Sequence, residues 1–466
     1  MTLLTRRILY VIFIIAFLVI TPLVIAYAAG YKIKIGKGLK LNFSFQKTGM
    51  LVLDSQPRGA RIYLNGEAQQ LPFKKYFLSE ESYIATPTKI KNLLPEEYEV
   101  KLELNGYWDW QKKLTVSAGA STYAEDVYLF KNNLPVSLAS GRVSQSSLAP
   151  DKKYLLIAGD DEVSVFDLTT EEKIRLSGLS AWGSEKKPLE ISWSRDSNKL
   201  LINATIFSLA SPDAPVRPDP KSENIKWSGN MIYYLSRPAG KDTGLISSFD
   251  PDTKENKVVF ASDPALIGQN EKITDFLIKN KNVFFIVQSG EKIKLNISEI
   301  DSQKIIRTID LPPFSQYSFI NPEHKFINLY DQERQTLYLI DPFSYFPLAE
   351  TINNIKYNSW INEDKLLYAN DFEIWLYGIK NRNKTLLTRI SSPIEKALWH
   401  PSNNYIVYAT ENSVNTIELD DREKRNTTEL IKLDKIFSPY LNARGDILYF
   451  SAKIGNQEGL YKLALQ

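Results

Sequence analysis

The chain has 466 residues, a formal net charge of +3, 12% aromatic residues, two histidines and no cysteine. The length sets a prior of two to four domains, and without cysteine both Cys/His zinc sites and thiol catalysis are excluded. Residues 1–30 carry two arginines and no acid, and residues 31–48 carry five lysines and no acid; residues 49–466 are left at −4, which excludes the concentrated basic footprint that nucleic acid requires.

Residues 1–7 are a short tail. Between Arg7 and Lys32 lie 24 residues without a formal charge. As a helix at ~1.5 Å per residue this stretch spans a ~30 Å hydrocarbon core. Residues 8–30 are therefore expected to be a transmembrane signal anchor, with Tyr10, Tyr27 and Tyr31 at the interfaces. Pro22 and the string Ala26-Tyr27-Ala28-Ala29 offer the alternative of a cleaved signal peptide and a secreted product. The apolar core from Ile8 to Ile25 exceeds the ~7–15 residues usual for such a peptide. Arg6 and Arg7 flank one end; Lys32, Lys34, Lys37 and Lys40 flank the other. Counted strictly, the positive-inside rule places the domains in the cytoplasm; large carboxy-terminal domains translocate largely regardless of charge, and the two arginines lie directly at the helix edge, so the domains are expected outside the membrane. The basic linker, residues 31–48, reads as a solvated spacer.

Residues 49–130 read as a small all-β module. Met50–Leu53 is a strand, Pro57 and Gly59 make a turn, Arg61–Leu64 is a second strand, and Asn65-Gly66 is a strong hairpin signal. Tyr98–Leu104 alternates in period two, with Val100, Leu102 and Leu104 opposite Glu99, Lys101 and Glu103. Asn105-Gly106-Tyr107 turns into Trp108-Asp109-Trp110, where both tryptophans are expected on one side of a strand. A last strand runs from about Thr122 to Leu129.

These residues resemble the PEGA domain family. The naming motif stands as Pro57-Arg58-Gly59-Ala60, followed by Asn65-Gly66, and the second half matches at Pro87, Tyr98, Gly106 and Tyr107. Arg58 replaces the motif's glutamate, Glu96-Glu97 stands where a glycine usually precedes the tyrosine, and residues 67–85 make a long insertion. The resemblance implies a β-sandwich-like interaction or spacer module on a cell-envelope protein, with no catalytic activity.

From residue 148 onward one pattern returns about every 40 residues, a large apolar residue, a polar turn, then a β-rich run, and residues 131–466 are read as one repeat domain. Trp193-Ser194-Arg195-Asp196-Ser197-Asn198 and Trp399-His400-Pro401-Ser402-Asn403-Asn404 are the clearest copies. Weaker ones start at Leu148, Trp227, Ile278, Phe319, Trp360 and Tyr440. A fixed period of this length fits a four-stranded blade, and closing the blades in a ring hides sheet edges. Seven or eight blades, about eight, are expected. The last unit falls one strand short after Leu463, and Leu134–Ala139 is expected to complete it. The turns, Trp399-His400-Pro401-Ser402 and Leu148-Ala149-Pro150-Asp151 above all, resemble those of TolB-like and prolyl-peptidase-type β-propellers. That resemblance implies an architecture rather than an activity.

Chemistry is sparse. His324 and His400 both fall in repeat turns, and replacing either with Asn is expected to change stability within ~1 kcal/mol, as at a turn without a buried network. No nucleophile elbow, Walker loop or dinucleotide fingerprint is present. Asp250–Asn256 resembles a calcium loop, but Lys254 stands where an oxygen ligand is needed. Asp160-Asp161 and Asp420-Asp421 read as solvated turns, and Ser211–Pro220, with four prolines, as a loop available for contacts. Trp193, Trp227, Trp360 and Trp399 are expected in blade cores. No catalytic, cofactor or metal residues are assigned. The expected function is a membrane-anchored, extracytoplasmic, non-enzymatic scaffold binding protein or cell-wall polymer; the alternative is a propeller component or regulator of a peptidase-like system. The sequence ends at Gln466, inside the last unit, which favours the scaffold.

Overall fold

The computed structural model describes residues 3–35, 43–70, 83–159, 162–177, 188–219, 221–237, 244–261 and 271–466. Lys37, Lys40, Asp160, Asp161 and Pro220 lie outside them. One helix, Leu3–Ala28, opens the chain. Its Thr5–Ala28 portion, with a mean hydropathy of 3.0, is long and apolar enough to cross a membrane, and none of it is buried against the protein.

The linker is more ordered than a spacer. Tyr31–Ile35 pairs antiparallel with Phe43–Lys47, with Ile33 opposite Phe45. Tyr31-Lys32-Ile33-Lys34-Ile35 alternates in period two, a strand signal that the lysine content masks. Both the N–H and the Oγ1 of Thr48 donate to Gly30 O at 2.7 Å, and Gly119 N–H donates to Thr48 O at 2.9 Å. The helix exit is thus hydrogen-bonded to the hairpin, and the hairpin to the module.

The module has two sheets. Gly49–Gln56 lies between Thr88–Leu93, antiparallel, and Ser121–Tyr128, parallel. The second sheet runs Glu67–Ala68, Arg61–Leu64, Glu97–Glu103, Trp110–Thr115. Leu51, Leu53, Ile62, Val100, Leu102 and Leu114 pack between them. Each such buried side chain contributes about 1.5–3 kcal/mol of transfer free energy. The turn at Pro57 and the segment at Pro87 meet: Gly59 N–H donates to Thr86 O at 2.8 Å, Thr86 N–H to Ala60 O at 2.9 Å, and Ser55 and Thr86 hydroxyls bond at 2.6 Å. Asn65 and Gly66 both have positive φ, and Asn65 Oδ1 accepts the Glu99 N–H at 2.9 Å. Tyr98 is buried and donates to Leu94 O at 3.1 Å, while Gly106 O accepts the Asn132 N–H and Tyr107 bridges to Lys131.

Beyond the module, among the described residues, eight four-stranded antiparallel sheets succeed one another as blades of a β-propeller. Blades one to seven occupy 143–175, 191–216, 223–261, 272–311, 317–352, 357–389 and 394–432. Blade eight combines Lys435–Leu441, Ile447–Ile454 and Gln457–Ala464 with the earlier strand Val136–Ser140, which pairs antiparallel with Gln457–Ala464. The first strands of blades two to five adjoin in succession, as do those of blades six to eight, and the first strands of blades one and eight meet. Leu155, Ile157 and Phe166 of blade one form one cluster with Tyr449 and Leu460 of blade eight, and Tyr440 Oη donates to Ser146 O at 2.7 Å.

The recurring sequence turn links the first and second strand in every blade. Its tryptophans staple blades together: Trp193 Nε1 donates to Ser147 Oγ, Trp227 Nε1 to Ser192 O and Trp360 Nε1 to Asn328 Oδ1. Trp399 instead bonds Asn403 within its own turn. Only Trp193 is buried; Trp227, Trp360 and Trp399 are half-buried, so the expectation of four core tryptophans holds in full only for the first. Asp275 of blade four accepts Asn224 of blade three at 2.7 Å and Phe319 N–H of blade five at 2.8 Å, and pairs with Lys226.

The proline-rich segment corrects the loop expectation. Ser211–Val216 is the outer strand of blade two, with Ser208 opposite Ser211 and Ile206 opposite Val216 across an irregularity. An outer strand presents one edge to no neighbour, so Pro212 and Pro215 cost few ladder bonds.

Candidate functional site

The module sits on blades seven and eight, and the junction is built from three groups of side chains. The first is ionic. Strand Trp110–Thr115 buries alternate residues, Trp110, Lys112 and Leu114. The side chain of Lys112 is 0% exposed, and its Nζ lies 2.8 Å from Glu418 Oε2 and donates to Asp420 O at 2.8 Å. Trp110 Nε1 donates to the other Glu418 oxygen at 3.1 Å. Burial pushes the Glu418 carboxyl above its usual range, and Lys112 only partly offsets this. Burial acts on Asp420 in the same sense, but hydrogen bonds from Arg422 outweigh it and hold Asp420 below the usual range. Arg422 also donates to Tyr123 O of the module at 2.8 Å. Asp420 is therefore a junction residue rather than a solvated turn.

The second group is aromatic. Tyr128 and Phe130, at the end of the module, belong to the same buried cluster as Tyr405, Val407, Leu448 and Leu463 of the propeller. Tyr128 N–H donates to Tyr405 Oη at 3.2 Å. Trp108 also packs against this cluster, whereas Trp110 lies in the module core. Trp108 precedes the strand, so the two tryptophans do not share a strand face as expected.

The third group is His400 and its turn. His400 Nε2 lies 3.0 Å from Gly445 O in blade eight, and Nδ1 accepts from Ser402. That pattern assigns the neutral Nε2–H tautomer. The ring meets Tyr128 edge-on at 4.6 Å. Burial pushes its pKa down to about 4. His324 plays the corresponding part between blades five and six. It stacks on Trp360 at 3.5 Å, accepts the Phe326 N–H and faces Glu363 O at 3.3 Å, and burial lowers its pKa. Both histidines are in buried networks, which corrects the expectation of a turn without one. The Asp250 loop is an Asx turn: Asp250 Oδ1 accepts the N–H groups of Asp252 and Thr253. Among the described residues no cluster of three or more metal-ligating side chains occurs.

Two cavities flank the ion network. One, of 280 Å³, is lined by Trp108, Tyr128, Phe130 and Tyr405 together with polar groups of both domains. The other, of 220 Å³, lies beside Tyr123, Asp126, Asn404 and Arg422. Elsewhere, Lys396 on the first strand of blade seven places Nζ 3.5 Å from the centre of the Tyr440 ring, and burial pushes its pKa down to about 7.

Sequence reasoning missed Lys112, Glu418 and Tyr128. The available signal was Lys112 itself, a lysine on the apolar face of a strand with strict alternation. Nothing local marks its partners, which lie about 300 residues further along the chain.

No family model matches this chain, and no curated protein does. Among solved structures it is similar to a Dos1 propeller (13% identity, 72% of this chain and 96% of that one, TM-score 0.47). It is also similar to the Cps50 (Swd1) β-propeller domain of Myceliophteria thermophila (13%, 72% and 100%, TM-score 0.38) and to a eukaryotic initiation factor (11%, 70% and 86%, TM-score 0.45).

Proposed function

We propose that this chain is a membrane-anchored binding protein whose β-module and propeller form one rigid head, displayed outside the membrane to hold a protein or envelope polymer. The observation that carries the reading is the junction. A buried lysine, its carboxylate partner and a shared aromatic core join the two units, and the module is in turn hydrogen-bonded to the exit of an apolar helix. Such coupling fixes the orientation of a large surface relative to a membrane, which a scaffold needs and a freely diffusing enzyme does not. The resemblance of residues 49–130 to PEGA domains supports an envelope setting. The two histidines, the residues best suited to proton transfer near neutral pH, are held neutral and hydrogen-bonded within blade boundaries, which supports a non-catalytic role.

The test is capture of envelope material by the full-length protein in detergent, alongside peptidase, esterase and glycosidase screens. A partner retained through salt washing and no turnover is the expected result. Turnover abolished by His324→Asn or His400→Asn would place the protein among enzymes instead.

A further inference from the structure

We propose that the hairpin of Tyr31–Ile35 and Phe43–Lys47 is a membrane-surface element: its aromatic face rests in the interfacial layer of the bilayer that the helix enters, and its lysines are drawn to anionic headgroups. The inference deepens the binding-protein reading above and rests on the anchored helix within it.

The first observation is which way the hairpin faces. An antiparallel pair in water turns its apolar side to the protein and its polar side to solvent. At the described side chains of this hairpin the order is reversed. Tyr31 is 39% and Phe45 58% exposed, whereas Lys32 and Gln46, paired with each other on the other side, are half-buried. Gln46 Oε1 is buried with no hydrogen-bond partner. The register sets Ile33 opposite Phe45 and Ile35 opposite Phe43, in the same period of two as Tyr31. The exposed aromatics therefore belong to a run of Tyr, Ile, Ile, Phe and Phe positions, with Lys47 at its module end. An exposed apolar face of this kind marks an interaction surface.

Position selects lipid as the occupant. Thr5–Ala28 has 24 residues, about 36 Å as a helix, which outreaches a ~30 Å hydrocarbon core. Its end, where Tyr27 is 57% exposed, thus reaches the headgroup layer in which aromatic side chains gather. Gly30 follows with φ of +81°, and its carbonyl accepts both bonds from Thr48, so the open end of the hairpin is clamped to the helix exit. Tyr31 and Phe45 lie within three residues of that clamp, ~10 Å of chain, beside a headgroup layer ~5–8 Å deep. Charge points the same way. Residues 31–48 carry five lysines and no acid, and a juxtamembrane cluster of about 4–8 basic residues is drawn to anionic lipid. That attraction acts across a Debye length of about 8–10 Å, without direct contact.

The experiment exploits the absence of cysteine, which lets one introduced thiol carry a nitroxide label. Phe45→Cys and Tyr31→Cys report on the aromatic face. Val258→Cys, at an exposed site on the outer strand of blade three, reports on open water. Full-length protein, one copy per nanodisc, is prepared in phosphatidylcholine alone and in a mixture with phosphatidylglycerol. Relaxation of each label by oxygen, which partitions into lipid, is compared with relaxation by a water-soluble nickel complex. Both hairpin sites should show an oxygen-to-nickel ratio several-fold above that at Val258. Phosphatidylglycerol should raise the ratio further at Phe45, and Lys32→Gln/Lys34→Gln in the same labelled chain should abolish that rise. Ratios at both hairpin sites equal to that at Val258 overturn the proposal. Shielding from oxygen and nickel alike, or shielding that needs two copies per disc, overturns it too, because protein then covers the face. A ratio indifferent to phosphatidylglycerol, or a rise that survives the lysine variant, overturns the electrostatic part. A chain found outside the discs with a new terminus near Ala29 would sink the anchored reading itself, whereas a retained chain with both labels in water would sink the hairpin element alone.

Discussion

At residue scale, His400 shows how a polar side chain becomes structural when every partner is internal. Its two nitrogens are used on Gly445 and Ser402, and its ring faces Tyr128. Gly445 has φ of +79°, and a Cβ there would stand 2.6 Å from Pro401 Cδ and 2.8 Å from His400 Nε2. Gly445→Ala is therefore expected to cost about 1–3 kcal/mol through overpacking and backbone strain, read by denaturant melts. The pH dependence has a definite sign. The folded pKa of about 4 lies below the ordinary 6.5, so between these values the unfolded chain binds the proton that the folded chain refuses. The stabilisation is complete above pH 6.5 and is lost as pH falls towards 4, by up to about 3 kcal/mol. His324 acts in the same direction, and Glu418, whose folded pKa is raised, acts in the opposite one. His400→Asn should flatten this slope in melts recorded from neutral to acidic pH; an unaltered slope would refute the assignment. Lys396 works in the alkaline range. Its pKa near 7, against the ordinary 10.5, predicts stability that rises with pH between those values. Lys396→Met should remove that rise, and a rise that survives the substitution would assign it to other groups.

At the scale of elements, two joints hold the head together. In the first, Val136–Ser140 supplies the outer strand of blade eight, so the chain's earlier part fastens its last sheet. Gly459 lies opposite Ser140, and a Cβ on it would collide with Ala139 O. Replacing residues 136–140 by an equal length of Gly-Ser should therefore open the ring and lower the melting temperature of the whole propeller. A melt indistinguishable from wild type would show that the strand is dispensable. In the second joint, Lys112→Met leaves Glu418 buried without its counter-charge, an expected loss of about 3–5 kcal/mol. The double variant Lys112→Met/Glu418→Leu should recover most of it, because replacing both members of a buried pair with apolar groups is often neutral. A loss in the double variant equal to the sum of the losses in Lys112→Met and Glu418→Leu alone would show that the pair is not coupled.

The same joints show what could be read in the sequence and what could not. The repeat turns were legible because each blade needs a polar reversal between its first two strands, and Asn, Asp, Ser and Gly satisfy it locally. The closing strand was legible because the last unit lacked one. The strand Ser211–Val216 was hidden by Pro212 and Pro215, whose cost depends on which edge faces a neighbour. The hairpin over residues 31–47 was hidden by lysines that alternate with apolar residues. The junction was the least legible, since Lys112, Glu418, Asp420 and Tyr405 acquire meaning only when two distant segments pack.

At the scale of the whole molecule, the order is helix, hairpin, module, propeller, with a hydrogen-bonded connection at each step. Gly30 O is held by Thr48, Thr48 O by Gly119, the module by Lys112 and Tyr128, and Lys131 N–H donates to Leu465 O near the end of the propeller. With the helix in a bilayer, a head attached in this way would have a restricted set of orientations over it, unlike one on a flexible tether whose end-to-end distance fluctuates with the square root of its length. Two arrangements of the helix have different consequences. If Leu3–Ala28 is retained, the full-length protein should stay in the membrane pellet through carbonate and high-salt washing, with a mass that includes Met1 to Gly30. Protease added to intact cells stripped of outer barriers should then digest the propeller while a cytosolic control survives. Soluble protein with a new terminus near Ala29 would show cleavage, and a retained protein fully protected from protease would place the head on the other side, where the translocation argument for large carboxy-terminal domains would have failed.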